Sequence, residues 1–288
     1  MRILNVEGRL SIESGDGVVD VNAASGGKFS AAPQEIYERW DEFLEWAAHA
    51  DLADHSPLGD RAIGSPVPQP RQIFAIGLNY RAHADESGFA RPSAHPPIFT
   101  KFVSSITGPN ETVAIPAGAN VDWEVELVAV IGRQAKNVVA ADAWSHIAGL
   151  TIGQDISDRV LQMASPAPQF SLGKSLPGFT PIGPRLVTVD EFADPDDLGL
   201  GCAINGDQMQ EGRTSQLIFS VPQLVEYISA RLILYPGDVI FTGTPSGVGL
   251  GQTPPRYLRD GDELVSWIDG IGSMTQAFQT QSETALIA

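Results

Sequence analysis

The run Val121-Asp-Trp-Glu-Val-Glu-Leu-Val-Ala-Val-Ile131 constrains the fold more than any other stretch of the chain. Its Val, Leu and Ile content reads as a strand. Strand side chains alternate faces, so Glu124 and Glu126 fall on one side, roughly 7 Å apart at Cα. Like charges held together in a half-buried strand raise each other's pKa and cost stability unless a cation neutralises them. Two readings stay open on spacing alone. One is an exposed edge strand with two solvated acids; the other is a metal site.

Composition narrows the function classes. A formal charge of −17 argues against nucleic acid or anionic membranes as partners, because both need a basic surface. With Cys202 as the single cysteine, no internal disulfide can form, which fits a reducing cytoplasm. The N-terminal residues lack the apolar core of a signal peptide, and no run is long enough for a membrane-spanning helix. The expected location is cytoplasmic.

Along the chain, short strand-like pieces (Arg2–Val6, Leu10–Ile12, Gly17–Val21) precede a helical stretch from Pro33 to about Ala53, with Ser30 as a possible cap. The Pro-rich joint Ser65–Pro70 suggests a small N-terminal α+β domain over 1–68 and a catalytic domain over 69–288. After the joint, strands dominate: 72–77, 98–101, 113–115, 124–131, 149–154, 185–189, 201–205, 208–210, 239–242, 263–268 and one more near the end. Asn205-Gly206 predicts a hairpin turn. Helices are expected near 79–88, 141–147, 158–164 and 221–230. The fold class is α+β, strand-rich, with peripheral helices.

Four segments carry chemistry. Asp155 closes the apolar strand Leu150–Asp155 and joins Glu124 and Glu126 as an all-oxygen donor set, suited to Mg²⁺ or Mn²⁺ rather than Zn²⁺. His83 and Glu86, three apart, would share a helix face, where Glu86 could orient the imidazole as it takes a proton from water; an ordinary solvated surface pair is the alternative. Lys174, in a Gly- and Pro-dense loop, could offset a substrate carboxylate or a developing oxyanion, or be a plain surface lysine. Lys101 and Arg159 invite the same two readings. The glycines of Pro236–Gly249 allow close backbone approach to a small ligand, without the ending of a phosphate loop. No nucleophile elbow and no catalytic cysteine setting is present.

In this order, the segments closely resemble the fumarylacetoacetate hydrolase family. The matching pieces are Asn79-Tyr-Arg-Ala-His-Ala-Asp-Glu86, Phe99-Thr-Lys101 with Gly108-Pro109, and Asp122-Trp-Glu-Val-Glu-Leu127. They continue with Gly153-Gln-Asp155, Gly173-Lys-Ser175, Pro181-Ile-Gly-Pro184 and Asn205-Gly206. Pro236–Ile240, Thr242-Gly-Thr-Pro245 and Gly247-Val-Gly249 complete them. The resemblance runs from about residue 70 to the end and is loose before that.

It implies a mixed β-sandwich or roll of the family's C-terminal type. It also implies Glu124, Glu126 and Asp155 as Mg²⁺ or Mn²⁺ ligands, and His83 and Glu86 as a water-activating dyad on a segment that often orders with substrate. Lys174 falls on the active-site lysine and Thr244 on a pocket threonine. Lys101, Arg159 and Gln162 fall on substrate-side positions. Where the family commonly has an aspartate, three residues after the lysine, this chain has Pro177. The implied substrates are 2-oxo acids whose enolate the metal stabilises, and the implied assembly is a homodimer. Hydrolysis of a C–C bond in an acylpyruvate or diketo acid is the first expectation. An oxaloacetate-type decarboxylase or hydroxydienedioate isomerase is the alternative.

Overall fold

The computed structural model describes residues 1–87 and 92–281. Two large sheets and a two-stranded pair, Val121–Asp122 with Ser157–Asp158, hold the strands of the described residues. The larger, twelve-stranded sheet runs in the order Ser56–Pro57, Gly17–Asp20, Arg9–Ser14, Arg2–Val6, Thr180–Val187, Ile147–Gln154, Val125–Ile131, Val239–Phe241, Ile73–Ile76, Ile98–Thr100, with Ile63–Gly64 paired to Arg2–Val6 and Ile106–Thr107 to Thr180–Val187 off this path. The smaller sheet has the order Asp207–Arg213, Gly199–Ile204, Glu263–Ile268, Gly272–Thr280, Thr112–Ile115. Arg2–Val6 pairs directly with Thr180–Val187, so the strands before the Pro-rich joint continue the main sheet.

The strand Val125–Ile131 lies in the middle of the large sheet, and all seven of its residues are buried. That excludes the edge-strand reading. Alternation explains its composition: Val125, Leu127, Ala129 and Ile131 enter one core, and Val128 and Val130 enter the other. Glu126 occupies the Val128 side at the strand's end, and Glu124 immediately precedes it. Gly153 stands opposite Glu126, and a Cβ there would come within 2.4 Å of the Phe241 ring. Only glycine lets these strands and that ring pack together.

Several elements depart from the sequence expectations. The helical stretch from Pro33 is a 3₁₀ segment, Pro33–Arg39, followed by an α-helix, Trp40–Ala47. It stops short of Ala53, and beyond its end the Asp51 side chain accepts the Ala53 N–H at 3.0 Å in a local turn. Ser30 caps no helix; its hydroxyl accepts from Ala32, which itself holds the cap position. The segment Ala140–His146 is 3₁₀ rather than α. The strand expected at 185–189 is Thr180–Val187; Pro181 and Pro184 hid its first half. The Asn205-Gly206 hairpin is present, both residues with positive φ (52° and 87°). Part of the helix expected to end near Gly88 lies outside the described residues; Arg81–Ser87 is helical.

Cys202 is fully buried in the smaller sheet, its thiol 3.3 Å from Gln210 Oε1, and burial pushes its pKa up. Gln210 in turn supports the site, accepting the Val125 N–H at 3.0 Å and donating to Thr244 Oγ1 at 2.7 Å.

Candidate active site

Sheet register assembles the acidic cluster. Val125 pairs with Gln154 and Glu126 with Gly153, and the Asp155 N–H donates to Glu124 O at 2.9 Å. The three carboxylates therefore converge where the two strands end. Oxygen atoms of Glu124, Glu126 and Asp155 lie within 4.8 Å of one another, all three residues buried. Gln154 fixes the start of the strand by accepting the Glu124 N–H at 2.9 Å.

Cations crowd two of the three acids. Lys174 Nζ lies 2.7 Å from both Glu124 Oε2 and Asp155 Oδ2. Lys101 Nζ donates to Asp155 Oδ1 at 2.5 Å and to the carbonyls of Lys174 and Phe179. Arg159 Nη2 reaches Glu124 Oε1 at 2.7 Å and Asp122 Oδ2 at 2.8 Å, and its Nη1 donates to Gln162 Oε1 at 3.0 Å. Burial pushes the Glu124 carboxyl up, but Lys174 and Arg159 outweigh burial and hold it well below the usual range. Lys174, which burial alone would discharge, is held charged by Asp155 and Glu124. Close packing makes this possible: a Cβ on Gly173 would fall 2.7 Å from the Gln162 backbone nitrogen.

Glu126 differs. It makes no ion pair among the described residues, and its Oε2 accepts the Gly243 N–H at 2.6 Å. Burial, then Asp155 and Glu124, push its carboxyl well above the ordinary carboxylate range. Four buried carboxylates (Asp122, Glu124, Glu126, Asp155) thus meet three buried cations (Lys101, Arg159, Lys174). A hard divalent cation fits this donor set: it is all oxygen, net negative, and contains one carboxylate without a counter-charge. Such an ion would leave the site with a small positive excess, suited to an anionic substrate.

The helix Arg81–Ser87 brings His83 to the same place. His83 is buried, and its Nδ1 lies 3.3 Å from Glu86 Oε2. It lies within electrostatic reach of Glu124. Thr244 is buried beside the cluster, its hydroxyl donating to Val125 O at 2.8 Å. Tyr80, just before the helix, has a buried hydroxyl with no hydrogen-bond partner among the described residues, and burial together with Glu126 pushes its pKa up. All ten residues singled out from the sequence thus gather at one end of the large sheet. Pro177 lies exposed in the turn between Lys174 and the strand Thr180–Val187.

Asp122 is the residue that sequence reading passed over. Fully buried, it accepts from Arg159 Nε (2.8 Å), Gly249 N (2.7 Å), Leu250 N (2.9 Å) and Trp123 N (2.8 Å). Its signal was available: Asp122, Glu124 and Glu126 follow one another at the two-residue period of a strand face. Asp122→Ala removes one of Arg159's two carboxylate partners and orphans three backbone donors. A loss of about 3–5 kcal/mol in stability is expected, read by denaturant titration.

Residues 72–279 match the fumarylacetoacetate (FAA) hydrolase C-terminal domain. The Homo sapiens mitochondrial oxaloacetate tautomerase FAHD2A is 40% identical over 267 residues, covering 91% of this chain and 84% of that protein. The crystal structure of a candidate HpcE protein from Mycobacterium smegmatis superposes with a TM-score of 0.95 at 58% identity, covering 98% of this chain and 100% of that one. Maleylpyruvate hydrolase from Sphingobium sp. SYK-6, solved with manganese(II) and pyruvate, has a TM-score of 0.78 at 27% identity, with 98% and 100% coverage. No helix among the described residues is long and apolar enough to cross a membrane. The chain belongs to the fumarylacetoacetate hydrolase family.

Proposed function

We propose that the chain is a divalent-metal-dependent enzyme that moves protons on the enol form of a 2-oxo acid, with keto–enol exchange of oxaloacetate as its reaction. One observation carries the reading: a buried histidine, hydrogen-bonded to a glutamate, stands beside a buried carboxylate cluster and a charged lysine. The similarity to an oxaloacetate tautomerase supports the choice of substrate.

Glu124, Glu126 and Asp155 would hold Mg²⁺ or Mn²⁺, which when bound supplies Lewis-acid stabilisation of negative charge on substrate oxygens. With Glu86 at Nδ1, His83 carries the mobile proton at Nε2. It takes a proton from one position of the substrate and returns one to another, so nothing is consumed. Lys174 offsets charge on the substrate, while Lys101 and Arg159 hold the carboxylates in place. Gln162 steadies Arg159, and Thr244 fixes the backbone below the cluster. Residues 1–68 serve as a supporting unit, and the assembly is a homodimer, testable by light scattering.

A second reading is hydrolysis of a C–C bond in an acylpyruvate or diketo acid. The same dyad favours it, because a histidine held by a carboxylate can deprotonate water. Decarboxylation and dienedioate isomerisation share the enolate. The test is a panel with Mn²⁺: enol-oxaloacetate, carbon dioxide release from oxaloacetate, and acetylpyruvate. Accelerated enol decay is expected. Acetylpyruvate cleavage without it would transfer the assignment to the hydrolase, and turnover of neither would sink both.

A further inference from the structure

We propose that Gly251, together with the Gly247 amide, is the seat that positions Glu86 against His83. Gly251 then serves the reaction through Glu86 without touching substrate. The inference rests on the reading of His83 and Glu86 as the proton-carrying pair.

Glu86 projects from its helix onto the turn 247–251. The Gly247 N–H donates to both of its carboxylate oxygens, at 3.0 and 3.2 Å. Beneath the carboxylate lies the bare Cα of Gly251. A Cβ there would stand 2.3 Å from Glu86 Cδ and 2.4 Å from both its Cγ and Oε1.

The glycines of this turn are needed for different reasons. Gly247 has φ +104°, and a Cβ would strike Met209 O at 2.0 Å; at Gly249 it would strike Arg256 O at 1.9 Å. Both are required by the backbone. Gly251 has no positive φ, and the three nearest atoms to its missing Cβ all belong to the Glu86 side chain. Nor can the turn recoil freely, because Asp122 grips it through the N–H groups of Gly249 and Leu250. An alanine at 251 therefore displaces Glu86, the flexible partner, and unhooks it from His83. A carboxylate that orients a functional histidine is worth roughly 10–100-fold in activity.

The experiment compares Gly251→Ala, Glu86→Ala and the double variant. It measures kcat and KM for oxaloacetate with Mn²⁺, Mn²⁺ affinity, the thermal midpoint, and the proton shift of the Gly247 amide in ¹⁵N spectra. Gly251→Ala should lower kcat about 10–100-fold, as Glu86→Ala does, with KM, Mn²⁺ affinity and the midpoint held. In the Glu86→Ala background the added methyl should have no further effect, because its target is gone. The Gly247 amide should shift alike in both single variants. Wild-type turnover by Gly251→Ala, an undiminished loss in the Glu86→Ala background, or an unmoved Gly247 amide would overturn the proposal. Should Gly251→Ala unfold, Glu86→Ala with an unmoved Gly247 amide overturns it independently. Full turnover by Glu86→Ala with the amide shifted in both variants removes the dyad reading while supporting the seat.

Discussion

Replacing Glu126 by glutamine is expected to abolish metal-dependent turnover while leaving the metal-free protein folded and at least as stable. The physical reason is that it has no ion-pair partner among the described residues. Glu126 shares a buried space with Glu124 and Asp155, yet Lys174, Lys101 and Arg159 all bind the other two acids. Glutamine keeps the shape, still accepts the Gly243 N–H, and relieves a like-charge repulsion without orphaning any cation. Glu124→Ala provides the contrast. It strips Lys174 and Arg159 of a partner and should cost about 3–5 kcal/mol in addition to activity. Losing a ligand to the ion should remove several kcal/mol of transition-state stabilisation, or about 10³-fold in rate. Thermal melting of chelator-treated protein, with and without Mn²⁺, checks the assignment. At an ion concentration of about 100 Kd the wild type should gain about 2.7 kcal/mol, and Glu126→Gln should gain almost nothing. Equal gains in both would sink the ligand assignment.

His83→Ala should lower turnover by roughly 10²–10⁴-fold, the range of a positioned proton carrier. Metal affinity should hold, because His83 contributes no oxygen to the carboxylate cluster. The loss should fall on kcat at constant KM, since the proton moves in the transition state and not on binding. Calorimetric titration of Mn²⁺ beside steady-state kinetics separates the two quantities. A variant that binds Mn²⁺ normally and keeps its rate would mean that the dyad is misassigned.

The strands were legible in the sequence because apolar alternation and turn residues mark them, as at 125–131 and at the Asn205-Gly206 hairpin. The carboxylate trio was legible because a two-residue period and a strand end are local properties. What stayed hidden was set by pairing between distant segments. Thr180–Val187 was concealed by its prolines. The ion pairs of Lys101, Arg159 and Lys174 depend on loops meeting across the sheet, which no local pattern encodes. The role of Gly251 depends on a side chain 165 positions earlier, and a lone glycine in a glycine-rich loop carries no such signal.

The burial of Cys202 gives the protein a built-in reporter of its own opening. A thiol sealed in the smaller sheet, with its pKa pushed up, reacts with an aromatic disulfide reagent only when that sheet separates. Because Gln210 ties Cys202 to Val125 and Thr244, labelling kinetics follow the cohesion of the two sheets behind the site. Slower labelling on addition of Mn²⁺ would register the ion's grip without any substrate being turned over.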